Sequence, residues 1–173
     1  MIKNNLQNNG GFSLLELLIY ISILSILIVA ISSTFISLSK GRGQSNAKSE
    51  VNNAIRFATE LIRQDLKNAS SVSTPASGTP NKSLVLVRDG STITYDIANG
   101  YLTRNGVNIT SGNVLVDAAK NASAFTRVEN TNTAFNTTNV SILVNIIFDY
   151  NSTSPDWKYT TNLRTSVSLY ANN

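Results

Sequence analysis

One carboxylate, Glu16, stands near the start of an otherwise uncharged apolar run, Leu14-Leu15-Glu16-Leu17-Leu18-Ile19. An acidic side chain in hydrocarbon costs about 2.5–3.5 kcal/mol at the centre of a membrane helix and less near an end. It needs either a neighbouring cation or an interfacial depth, where a carboxylate in the first helical turn also suits the helix dipole. Other reactive groups are sparse. The chain has no Cys and no His, which removes thiolate chemistry, a disulfide framework, and the commonest general base and zinc ligand. Asp89, Asp96, Asp117, Asp149 and Asp156 are dispersed near expected turns and strand ends. They form no EF-hand series; a calcium site would have to use the loops at 130–139 or 151–156, and turn chemistry accounts for these carboxylates without one. No Gly-x-Ser-x-Gly elbow or phosphate loop is present, so neither an enzyme nor a cofactor is expected.

The elements that must position Glu16 follow from composition. A chain of 173 residues has room for one ordinary domain and an appendage. Its 42% hydrophobic content hides a division: the N-terminal part is membrane-like, and the rest is polar and rich in Asn, Ser and Thr. Residues 17–39 carry no charge, a run matching the roughly 20 residues that a helix needs to cross about 30 Å of hydrocarbon. A signal peptide has a shorter apolar core, about 7–15 residues, followed by a small-residue cleavage site. The end of this run, with Phe35, Ile36, Leu38 and Lys40, has no such site. Ser22, Ser25, Ser32 and Ser33 are tolerable there, because a helical Ser can bond back to its own preceding turn.

Ahead of the run lies a short polar leader, and the junction reads Gly11-Phe12-Ser13-Leu14-Leu15-Glu16. This junction resembles that of the type IV prepilin family. The resemblance implies that a prepilin peptidase cuts between Gly11 and Phe12 on the cytoplasmic side and N-methylates Phe12. It further implies that Glu16 of one subunit pairs with the Phe12 amine of its neighbour in a filament, compensating both charges and fixing register. The implied partners are the peptidase, other pilin or pseudopilin subunits and the membrane. The implied location is the cytoplasmic (inner) membrane, single-pass with the N-terminus in the cytoplasm, and then an extracytoplasmic filament. Ser13 stands where the family more often has Thr, and Gly10 where Lys or Arg often precedes the cleaved glycine. Charge counting points the other way: Lys3 and the α-amino group face Lys40, Arg42 and Lys48 across the span.

Beyond the span, Gly41-Arg42-Gly43 predicts a break in the helix, since each glycine costs about 1 kcal/mol relative to Ala. Apolar residues then recur at helical spacing, Val51, Ala54, Ile55, Ala58, Leu61, Ile62, Leu66 and Ala69, predicting an amphipathic helix over 44–71. A Ser- and Pro-containing loop follows. Alternating runs around Leu84-Val85-Leu86-Val87, Ile93-Thr94-Tyr95 and Tyr101-Leu102-Thr103 are separated by Asp89-Gly90, Asn99-Gly100 and Asn105-Gly106, which signal tight hairpins. Two further strands are expected, with Val140, Ile142, Val144, Ile146, Phe148 and Tyr150 on one face and Leu163, Thr165, Val167 and Leu169 alternating through to Tyr170. The stretch 130–139 reads as an exposed loop.

The expected fold is therefore α+β and pilin-like: a long N-terminal helix, membrane half plus amphipathic half, packed on an antiparallel β-sheet. The expected divisions are a leader over 1–11, a transmembrane or filament-core helix over 12–39 and a soluble domain over 44–173, with its β-region at 83–171. The soluble part resembles the minor pseudopilin J of type II secretion and the minor pilin W group, by a diffuse pattern over 50–128. A structural subunit of a type IV pilus or secretion filament follows; a filament-borne module binding DNA or surfaces and an ordinary signal-anchored protein are the alternatives. Net charge is +4 and spread out. Arg42, Lys48, Arg56, Arg63 and Lys67 are interleaved with acids and lack stacking aromatics, so they read as a solvated helix face, with no reason to expect nucleic acid. Trp157 reads equally as an interface anchor or a packing residue.

Overall fold

The computed structural model describes residue 11 and residues 13–134 and 137–169, and the chain divides into two compact units, Met1–Gly41 and Arg42–Asn173. The expected leader up to residue 10, Phe12, residues 135 and 136, Tyr170 and residues 171–173 lie outside the described residues.

Helix α1 (Leu14–Lys67) begins in the first unit and ends in the second. In the first unit its large apolar side chains, Leu17, Ile26, Val29 and Phe35 among them, are exposed, and by length and composition this segment can cross a membrane. The break expected at Gly41-Arg42-Gly43 is absent: all three residues are helical. Extending an existing helix fixes one residue for each added hydrogen bond, so helix on both sides carries two unfavourable glycines. Gly43 also has a packing role. A Cβ there would overlap the Trp157 indole, which rests against the helix. Trp157 is the sole indole and 38% exposed. Gly43→Val should therefore displace the ring, shift its fluorescence emission and lower stability by ~1–3 kcal/mol; an unchanged emission spectrum would show that the contact is not made.

In the second unit, α1 buries Ala47, Val51, Ala58, Ile62 and Leu66, one stripe at helical spacing. The helix stops at Lys67, a turn before the expected boundary, and the chain enters strand β1 (Ser71–Thr74), where the sequence predicts the end of the helix and the start of a loop. Next come β2 (Pro80–Asn81), β3 (Leu84–Arg88), β4 (Ser91–Ala98), β5 (Tyr101–Arg104) and β6 (Val107–Asn108). β3 to β6 form the expected meander. Its turns hold Asp89, Asn99 and Asn105 at φ of 50°, 53° and 51°, each followed by a glycine at positive φ, as hairpin turns matched to strand twist require. Asn105 fits doubly: its side-chain oxygen accepts the Thr94 N–H at 2.8 Å.

The remaining strands are β7 (Val114–Leu115), β8 (Phe125–Asn132), β9 (Thr137–Tyr150) and β10 (Thr160–Ser168), with a 3₁₀ turn at Pro155–Trp157 before the last. Among the described residues two antiparallel sheets form where one was expected. One has the order β1-β3-β4-β5-β6; the other runs β10-β9-β8-β2, with β7 paired to the end of β9. Their inner faces and the α1 stripe share one core, filled by Leu84, Leu86, Tyr95, Phe125, Ile146 and Phe148 and their neighbours. The expected loop at 130–139 is largely hairpin: Glu129 to Asn132 pair with Thr137 to Val140. Asn and Glu are poor strand formers, and here the ladder extends outward from the buried pair Phe125↔Val144, whose packing sets the register.

Candidate functional site

The candidate site lies at the start of α1. Gly11 is exposed, and a Cβ on it would meet nothing within 4 Å among the described residues, so packing does not dictate a glycine there. Phe12, the expected methylation position, is outside the described residues. Helical hydrogen bonding begins with Leu17 N–H donating to Ser13 O at 3.1 Å. Glu16 falls in the first turn, where the unsatisfied backbone N–H groups favour a carboxylate. The Tyr20 phenol, one turn on, donates to Glu16 Oε1 at 3.0 Å. Sequence reasoning passed over Tyr20; its i+4 spacing from the only acid of the apolar segment was the available signal. This hydrogen bond orients the carboxylate and satisfies part of its acceptor capacity.

Further along, hydroxyls close on their own helix: Ser22 on Leu18 O at 2.8 Å, Ser25 on Ile21 O at 2.7 Å, Thr34 on Ala30 O at 3.0 Å and Ser37 on Ser33 O at 3.0 Å. Such bonds make polar residues compatible with an apolar environment.

A second cluster went unread in the sequence and lies in the second unit. Asp65 is 1% exposed. Its carboxylate receives Arg104 Nε at 2.7 Å and Nη2 at 3.1 Å, Arg88 Nη1 at 3.0 Å and the Tyr95 hydroxyl at 2.5 Å. α1 is thereby clasped to β3, β4 and β5 at once. Burial alone would raise the Asp65 carboxyl, but the hydrogen bonds from Arg104, Tyr95 and Arg88 outweigh it and hold the group below its ordinary value. Burial, reinforced by the hydrogen bond to Asp65, pushes the Tyr95 phenol up. The signal available in the sequence was the spacing: Asp65 continues the stripe of Ala58 and Ile62, where an acid has to be paired. All four bonds run between α1 and the sheet, so the cluster ties the helix to three strands.

The carboxylates singled out in the sequence are not brought together. Asp96 accepts from Ser83 at 2.6 Å, Asp149 takes Lys120 at 2.8 Å and Thr160 at 2.6 Å, and Asp117 caps its own turn through Ala119 N–H. Among the described residues no group of three or more His, Cys, Asp or Glu could hold a metal ion. Of the basic residues on α1, Arg42, Lys48, Arg56, Arg63 and Lys67 are all exposed.

Residues 6–32 match the family described as the prokaryotic N-terminal methylation motif. The match spans the leader junction, Glu16, Tyr20 and most of the apolar segment, and it supports a precursor of the type IV pilin and pseudopilin class. No curated protein and no solved structure matches the chain.

Proposed function

We propose that this protein is a prepilin: a structural subunit inserted in the inner membrane through α1, cleaved after Gly11, N-methylated at Phe12 and assembled into a type IV pilus or secretion pseudopilus. The observation that carries the reading is the junction Gly11 to Glu16 at the head of a membrane-length helix whose apolar side chains are exposed along the first unit. Such a surface needs lipid or other helices to cover it. Glu16, with its carboxylate oriented by Tyr20, then pairs with the Phe12 amine of a neighbouring subunit. The pattern over 50–128 favours a minor component, of the pseudopilin J or minor pilin W type, over a bulk subunit. The leader faces the cytoplasm and the second unit lies outside.

The test is the intact mass and N-terminal sequence of the full chain from a bacterial membrane, with and without a prepilin peptidase. Loss of residues 1–11 and gain of one methyl on Phe12 is the expected result. An uncut chain beside a processed control prepilin would replace this reading with an ordinary signal-anchored protein, in which Gly11 and Phe12 are never separated.

A further inference from the structure

Among the described residues, strand β10 ends its sheet, pairing with β9 alone along all nine of its residues. Tyr150 N–H donates to Tyr159 O at 2.8 Å and Leu169 N–H to Val140 O at 2.9 Å, so odd-numbered residues of this strand turn their backbone groups toward β9. In an antiparallel ladder the alternate residues, Asn162, Arg164, Ser166 and Ser168, then direct theirs to the open edge. An edge of this length is a template for another strand unless something blunts it, and β10 has neither a proline nor a register shift. Beside the edge runs an open groove of about 580 Å³, lined by residues 165–169 on one side and by Thr59, Arg63 and Lys67 of α1 on the other. The lining has two cations, several hydroxyls and no acid.

We infer that this groove receives an extended, acidic segment of another protein, which adds to β10 as a further strand and lays its carboxylates against Arg63 and Lys67. Strand addition takes affinity from main-chain hydrogen bonds and specificity from alternate side chains. Here the alternate positions facing α1 meet Arg63 and Lys67, so acidic residues at period two fit. A second copy of this chain fits poorly. It is itself basic at +4, and the acid on its own projecting hairpin, Glu129, is already paired with Arg127. The inference rests on the second unit alone and stands whether or not the N-terminal junction is processed.

The test uses the full chain in detergent micelles and a capped nonapeptide alternating Glu and Thr, with its Lys–Thr counterpart as control. The Glu–Thr peptide should bind, more weakly as salt rises, and slow hydrogen exchange at the amides of Asn162, Arg164, Ser166 and Ser168. Charge reversal by Arg63→Glu with Lys67→Glu, both on exposed helix, should lower affinity at least tenfold. Ser166→Pro removes one outward N–H without touching the β9 ladder and should do the same while leaving exchange of core amides unchanged. Failure to bind at low salt would overturn the inference. So would binding that leaves those amides unprotected and tolerates Ser166→Pro, which would reduce the groove to a basic patch. Self-association that protects this edge without peptide would overturn it in favour of a second copy.

Discussion

Asp65→Ala is expected to lower the stability of the second unit by about 3 kcal/mol, the low end of the range for breaking a buried ion pair. The low end applies because Arg88 and Arg104 are 29% and 30% exposed and can turn to water once the carboxylate is gone. The Tyr95 hydroxyl cannot; Tyr95 is fully buried, and its loss of partner supplies much of the cost. Tyr95→Phe, which removes only that hydrogen bond to a charged group, should cost ~1.5–3 kcal/mol. Chemical denaturation of the three proteins side by side provides the check. A loss below about 1 kcal/mol for Asp65→Ala would mean that the clasp is formed but adds nothing to stability. The pH dependence has a definite sign. Because folding depresses the Asp65 carboxyl, its contribution is complete above its ordinary value of 3.8 and is lost as pH falls through the lower folded value. Tyr95 is shifted upward, so its contribution is complete below its ordinary 10.0 and is lost as pH rises beyond that. Asp65→Asn should flatten the acid limb of the stability profile.

Glu16→Ala should leave the chain in the membrane, since removing an acid from an apolar span favours insertion, yet exclude it from filaments. If the carboxylate neutralises a neighbour's Phe12 amine, its removal strands a buried cation at about 3–5 kcal/mol, more than a hundredfold in the incorporation equilibrium. Tyr20→Phe keeps the carboxylate and removes the hydrogen bond that orients it, so a decrease of ~1 kcal/mol is expected. Comparing membrane-bound and filament-bound pools of the three chains by quantitative immunoblot separates the roles. Wild-type levels of Glu16→Ala in filaments would confine Glu16 to the part of an interfacial residue.

What could be read from the sequence was whatever local chemistry determines. The Asp89-Gly90, Asn99-Gly100 and Asn105-Gly106 turns announce themselves because few residues tolerate positive φ, and the alternation in β9 and β10 follows from burying one face. Strand β8 escaped notice because its Arg, Glu and Asn residues, which are poor strand formers, interrupt the alternation of Phe125, Thr126 and Val128. The place of Asp65 on the buried stripe marks an acid in need of pairing, but its partners lie 23, 30 and 39 positions away, where no sequence window names them. Gly43 was misread for the opposite reason: local propensity marked it as a breaker, while its actual constraint is an indole contributed by the far end of the chain. At the candidate site, the Glu16 position was visible through its oddity, and Tyr20 was hidden by being an unremarkable residue in an apolar helix.

The hydroxyls of the membrane-length segment have a consequence for transfer between environments. Ser22, Ser25, Thr34 and Ser37 each donate to a carbonyl of their own helix. None of these bonds has to be broken or remade when lipid around the helix is exchanged for protein. The wiring of these four hydroxyls travels with the helix, so they add little to the free-energy difference between bilayer and bundle. A helix wired in this way is portable.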